Sequence, residues 1–112
     1  GTIPPALRSQ LKSLEEDQKR RATRSLRDGL DRIMVDLLSL FRDILLVQLG
    51  SEVEPINLEI MDRVRAAAGT ASPVQTLATL DAIATARRRI DNNVAPVLAL
   101  EAMLITARRD AA

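Results

Sequence analysis

The feature that most constrains this chain is the run Leu26, Leu30, Ile33, Leu37, Leu40, Ile44 and Val47, in which apolar residues recur at alternating intervals of four and three. Only an α-helix brings such positions to one face, because successive residues turn by about 100° around its axis. Met34, Leu38, Phe41 and Leu45 widen the stripe, and Gly50 supplies a C-terminal stop, so a helix is predicted from about Leu26 to Leu49. Between Leu37 and Leu49 only Ser39, Arg42, Asp43 and Gln48 are polar, so this half of the helix needs cover on more than one flank. It is not a membrane span: thirteen residues interrupted by Arg42 and Asp43 fall short of the ~20 apolar residues a bilayer requires.

The rest of the chain reads the same way. Residues 1–5 read as a linker in which Gly1 and Thr2 have no structural role, and residues 6–112 as a helical domain cut from a longer protein. Leu7, Leu11 and Leu14 predict a first helix entered through Pro4 and Pro5. From residue 15 to residue 27 the apolar signal nearly stops, and Glu15, Glu16 and Asp17 precede Lys19, Arg20, Arg21, Arg24 and Arg27 in a charged, solvated connector. Glu16 with Arg20 and Asp17 with Arg21 stand four apart in the favourable order, so helix can continue through it. After the polar turn from Ser51 to Pro55, Asn57 is expected to cap a third helix while Ile56 staples to Met61, with Leu58, Met61, Val64 and Ala68 on its inner face. Ser72-Pro73-Val74-Gln75 combines a cap serine, a first-turn proline and a capping-box glutamine, which starts a fourth helix with the face Val74, Leu77, Leu80, Ile83 or Ala84, and Ile90. That helix should stop at Asp91-Asn92-Asn93. Val97, Leu100, Leu104 and Ala107, flanked by Leu98, Ala102 and Ile105, then predict a nearly all-apolar central fifth helix. No stretch alternates as a strand would, so the expected fold is all-α, a compact bundle of about five helices with helix content near ~80%.

Composition restricts the chemistry. With no His, Cys, Trp or Tyr and a single Phe, the chain lacks thiol nucleophiles and the commonest general base, and its usual metal ligands are reduced to carboxylates. The carboxylate pairs Glu15 and Glu16, Asp28 and Asp31, and Glu52 and Glu54 stand without a His or a glycine-rich phosphate cradle. We therefore expect no enzymatic activity for this chain, no cofactor, no metal and no small-molecule substrate. A net charge of +1 provides no whole-chain field for a nucleic acid or a membrane, so any such binding would need a local patch. The absence of a signal-like segment favours the cytoplasm.

Three basic clusters are candidates for phosphate contact: Lys19, Arg20 and Arg21 with Arg24 and Arg27; Arg87, Arg88 and Arg89; and Arg108 with Arg109. Consecutive arginines on a helix spread around its axis, and aromatic stacking partners are wanting, so only the Lys19 to Arg27 segment is kept as a weak candidate. Arg42, Asp43 and Glu101 carry more information, because each interrupts an otherwise apolar surface. A buried charge needs a partner, which makes these three residues candidates for structural ion pairs or for an interface.

The run Arg32-Ile33-Met34-Val35-Asp36-Leu37-Leu38-Ser39-Leu40-Phe41-Arg42-Asp43-Ile44-Leu45, closing with Gln48-Leu49-Gly50, resembles the long helix in the C-terminal domain of the delta-prime subunits of bacterial DNA polymerase III. The string Ile90-Asp91-Asn92-Asn93-Val94-Ala95-Pro96-Val97-Leu98-Ala99-Leu100-Glu101-Ala102-Met103-Leu104 resembles the closing helix of that domain. The likeness covers residues 6 to 109, and the arginine- and alanine-rich usage suggests a high-GC, actinobacterial source. The resemblance implies a collar domain that joins its counterparts on the gamma/tau and delta subunits into a ring, so that ATP-driven loading of the sliding clamp onto primed DNA can proceed. Clamp and DNA would be met only indirectly. The parent chain would belong to a DNA-directed DNA polymerase holoenzyme, with its AAA+ domains and arginine finger outside this sequence. The gamma/tau ATPase has an equivalent collar, which stands as one alternative. A helical nucleic-acid-binding or regulatory domain using the Lys19 to Arg27 segment is another, and a free-standing helical dimer a third.

Overall fold

The computed structural model describes the backbone of residues 3–111 and the side chains of residues 3–108. The expectation for Gly1 and Thr2, and that for the Arg109 side chain, lie outside the described residues. Among the described residues four α-helices follow in order, α1 (Pro5–Gln48), α2 (Met61–Ala68), α3 (Pro73–Asp91) and α4 (Pro96–Ala111), with one 3-10 turn at Leu58–Ile60 ahead of α2. The protein is 82% helical and has no strand among the described residues, so it is all-α.

The helix count is four, not five, because the expected first helix, charged connector and second helix are one 44-residue element. Proline is confined to the first turn at Pro5, and Gly29 alone is too mild a breaker to stop a helix. Asp17 and Arg20, paired at 2.5 Å across one turn, add a helix-compatible contact within the connector.

The chain divides into a unit ending at Leu30 and a second unit beginning at Asp31. The first is a helical segment with no core of its own: none of its described residues is buried, and Leu7, Leu11, Leu14 and Leu26 are all exposed.

The second unit holds the core. Met34 of α1, Ile83, Ala86 and Ile90 of α3 and Ala99 of α4 form one buried cluster, against which Leu37, Leu38, Phe41, Val94, Leu100 and Met103 pack. The buried line of α1 is thus centred on Met34, Phe41 and Ile44, while Ile33 of the expected stripe is exposed. On α3 the buried face is Thr76, Ala82, Ile83, Ala86 and Ile90; Val74 and Leu77 point outward, against expectation. Ala86 of α3 and Ala99 of α4 share the buried cluster with Ile83 and Ile90, and their small side chains permit close approach of the two helices. Nor is α4 a central helix. Among its described residues only Ala99 is buried, with Val97, Leu98, Leu104 and Ile105 exposed.

The helix ends follow capping chemistry. Ser72 accepts from the Gln75 N–H at 3.2 Å while the Ser72 N–H donates to Gln75 Oε1 at 2.9 Å, the reciprocal box expected at the start of α3. At the end of α1, Gly50 has φ +65°, its N–H reaches the Val47 carbonyl, and the Ser51 N–H reaches Leu46. Asn93 repeats this at the end of α3, with φ +64° and bonds from Asn93 to Ile90 and from Val94 to Arg89. Asn57, in contrast, does not cap the following helix with its side chain, and Ile56 and Leu58 are exposed rather than packed inward.

Two glycines separate conformation from space. A Cβ at Gly50 would meet nothing within 4 Å, but the left-handed φ of +65° strains any L residue. Gly50→Ala is expected to cost about 1 kcal/mol in urea unfolding. Gly69 has φ −80° and room for a Cβ at 3.5 Å from the nearest atom, so Gly69→Ala is expected to be neutral or to stabilise by up to about 1 kcal/mol.

Candidate functional site

Asp43 is fully buried near the C-terminal end of α1. The segment after the helix turns back so that the Ile56 N–H donates to both carboxylate oxygens at 3.0 Å and the Asn57 N–H donates to Oδ2 at 2.7 Å. The Asn57 side-chain amide donates to Oδ2 as well, at 2.7 Å, and to Ser39 Oγ at 3.2 Å. Arg42, about half exposed, holds Nη1 at 3.7 Å from Asp43, an ion pair too long for a hydrogen bond. Burial pushes the carboxyl up, but the Ile56 and Asn57 donors and, last, the Arg42 charge outweigh it and hold Asp43 below the usual carboxylate range. Asp43 is thus held by its own chain, with Arg42 beside it and partly exposed. The main partners are backbone N–H groups, which no spacing rule in the sequence points to.

Glu101 is exposed and lies at the centre of an apolar face. Val97, Leu98, Leu104 and Ile105 surround it on α4, each 61–65% exposed, and Arg108 ends the same face. The six positions fall within one third of the helix circumference at about 100° per residue. Among the described residues no ion pair includes Glu101. Here the structure brings together a surface rather than a pocket: an apolar patch with one negative charge in its middle.

The basic segment lies on α1. Lys19, Arg20, Arg21 and Arg24 are exposed and Arg27 is half-buried. Arg20 is held by Asp17, whose hydrogen bond and charge raise the guanidinium pKa further. Arg20, Arg24 and Arg27 recur at intervals of four and three and so share a side of the helix, from which Lys19 and Arg21 diverge. The triple arginine of α3 splits as expected of consecutive helical positions. Arg87 donates to Asp31 through Nε at 2.6 Å and Nη2 at 3.3 Å, and Arg88 donates to Thr85 Oγ1 at 3.1 Å. The Arg87 hydrogen bond, against a smaller cost of burial, holds the Asp31 carboxyl below its ordinary range. This clamp between α1 and α3 was not anticipated, since residues 56 apart leave no periodic trace.

Among the described residues no group of three or more His, Cys, Asp or Glu is placed to hold a metal ion, and no helix is long and apolar enough to cross a membrane. The grooves between elements are open. One, between α3 and α4, is lined by Asp81, Thr85, Arg89 and Met103; another, beside α1, is lined by Ile33, Leu37, Leu40 and Ile60. Comparison with protein families, curated proteins and solved structures finds no match.

Asp43 has a depressed pKa in the folded state, so its stabilisation is fully present above the unfolded carboxylate value of 3.8 and is lost as pH falls through the lower folded value. Asp43→Ala, which leaves buried N–H groups without an acceptor, is expected to cost about 3 kcal/mol at pH 7 by urea unfolding. In an unfolding series, the stability gap between the natural chain and Asp43→Asn should hold from pH 7 to pH 5 and close as pH drops below about 3.8.

Proposed function

We propose that this chain is a non-catalytic assembly domain, and more narrowly the collar domain of a delta-prime-type subunit of a bacterial DNA polymerase III clamp loader. Its task is to hold loader subunits in fixed order in the cytoplasm while other parts of the machine consume ATP and open the sliding clamp. The observation that carries the assembly reading is the α4 face of Val97, Leu98, Leu104 and Ile105, four large apolar side chains each more than 60% exposed. Scattered surface leucines need no explanation, but a contiguous patch with a charged centre and rim has the character of a protein–protein interface. The narrower assignment rests on the likeness of residues 32–50 and 90–104 to delta-prime helices. No chemistry is asked of the chain itself. Arg42 and Asp43 serve its fold, and Glu101 serves the contact face.

The test is co-assembly. The chain, mixed with the gamma/tau and delta subunits, is expected to elute with them in gel filtration. Leu98→Glu combined with Leu104→Glu should weaken this association by on the order of tenfold or more, with helical content and melting temperature unchanged, because both side chains already face solvent. Failure of the natural chain to associate with either subunit at micromolar concentration would refute the clamp-loader assignment. Unaltered association of the doubly substituted chain would refute the role of the α4 face.

A further inference from the structure

The helical segment of α1 before Leu30 has a property that the assembly proposal leaves unused: its charge and its apolar face are both arranged about one residue. Leu7, Leu11, Leu14, Gln18, Ala22, Ser25 and Gly29 follow at intervals of four, three, four, four, three and four. The order is the same read from either end, with Gln18 at its middle. At about 100° per residue these positions stay on one side of a straight helix, as an eleven-residue repeat does. Large residues occupy one half and small ones the other. The leucines are all exposed, and a Cβ at Gly29 would meet nothing within 4 Å.

We infer that this segment pairs with the same segment of a second copy of the chain, antiparallel and two-fold symmetric about Gln18. Such pairing sets Leu7 against Gly29, Leu11 against Ser25 and Leu14 against Ala22, so that each bulky side chain meets a small one. Charge selects the direction. Glu15, Glu16 and Asp17 precede Lys19, Arg20, Arg21, Arg24 and Arg27, so a parallel pair stacks like charges while an antiparallel pair stacks opposite ones. Along one flank of the apolar face lie Glu15 and Lys19, and along the other Asp17 and Arg21. In an antiparallel pair each flank meets itself, and the offsets between Glu15 and the second copy's Lys19, and between Asp17 and its Arg21, are two residues, or ~3 Å. Among the described residues Glu15, Lys19 and Arg21 make no ion pair within the chain, which leaves them free to serve these contacts. The need for a partner is physical: no described residue of this segment is buried, and a lone polar helix in water gains little from propensity alone. This goes beyond the collar assignment and does not depend on it.

The chain contains no cysteine of its own, so single cysteines report the geometry directly. Oxidised Gln18→Cys is expected to give a covalent dimer. Leu11→Cys should cross-link to Ser25→Cys in a mixture but not to itself. Sedimentation should show a monomer–dimer equilibrium weakened tenfold or more between low and high salt, as ion pairs at a surface are screened. The double variant Glu15→Lys with Asp17→Lys should be monomeric, as should Lys19→Glu with Arg21→Glu, and mixing the two should restore a one-to-one dimer. All four positions carry side chains that are not buried, so circular dichroism should show the Asp31–Ala112 unit unchanged in each variant. A chain that stays monomeric at about 1 mM and low salt overturns the inference. So does Leu11→Cys coupling to itself as readily as Gln18→Cys, which marks a parallel pair, or a dimer that survives Glu15→Lys with Asp17→Lys, which marks another face.

Discussion

The contact on which the second unit depends is the acceptance of the Ile56 and Asn57 N–H groups by Asp43. A helix as long as α1 has no intrinsic reason to be followed by a chain that returns along it, and the loop from Ser51 to Pro55 is polar and exposed apart from half-buried Pro55. Apolar burial cannot hold such a loop. A carboxylate with 2.7 and 3.0 Å bonds to two successive backbone donors can, because hydrogen bonds to a charged acceptor strengthen where water is absent. Once Asn57 is fixed there, its side chain is oriented by the Nδ2 bonds to Asp43 and Ser39, and its oxygen makes no cap bond to the following turn. The entry to α2 therefore passes through a 3-10 turn. One buried charge thus sets both the return of the chain and the form of the next helix start.

The second constraint is size. The buried cluster mixes Met34, Ile83 and Ile90 with Ala86 and Ala99, and no aromatic residue is fully buried. Alanine at a helix contact lets backbones approach closely but removes little apolar area from water, at about 25 cal/mol per Å². Four large residues of α4, Val97, Leu98, Leu104 and Ile105, are turned away from that contact, where bulkier side chains would hold the two helices apart. Close packing and outward leucines are two aspects of one choice of contact face. The Arg87 to Asp31 clamp adds an orientation-dependent contact where apolar burial is thin, its guanidinium meeting both carboxylate oxygens.

How legible this was in the sequence follows from the range of each interaction. The all-α class, the capping box at Ser72, the left-handed stops at Gly50 and Asn93 and the bounds of α3 and α4 are written within a few residues, where capping and periodicity operate. The face each helix buries is not. Val74 and Leu77 are as apolar as Ile83, and only the partner surface, with Ala99 approaching from α4, decides that Ile83 goes inside. The fused α1 was legible in part, because nothing between Glu15 and Arg27 breaks a helix, but the fall in apolar signal suggested a boundary that helix geometry does not require. Asp43 and Glu101 were picked out by the same rule, a charge amid apolar neighbours, and proved opposite in environment. One is sealed by a distant loop and the other lies open on α4, a difference that depends on contacts between residues far apart in the chain.

That Glu101 is open has a consequence for whatever covers α4 under the assembly proposal. Burying Val97, Leu98, Leu104 and Ile105 against a purely apolar surface would also strip water from the carboxylate in their midst. An uncompensated buried charge costs several kcal/mol, enough to cancel the gain from two or three of those side chains. A partner surface compatible with this face must therefore carry a cation or a set of hydrogen-bond donors within reach of Glu101, ringed by apolar residues that fit the four around it. The leucines provide area that many surfaces could match, and the glutamate rejects those that lack the complementary group. Arg108, at the rim, can stay hydrated when the face is covered, so it acts on the rate and salt dependence of encounter more than on the strength of the complex.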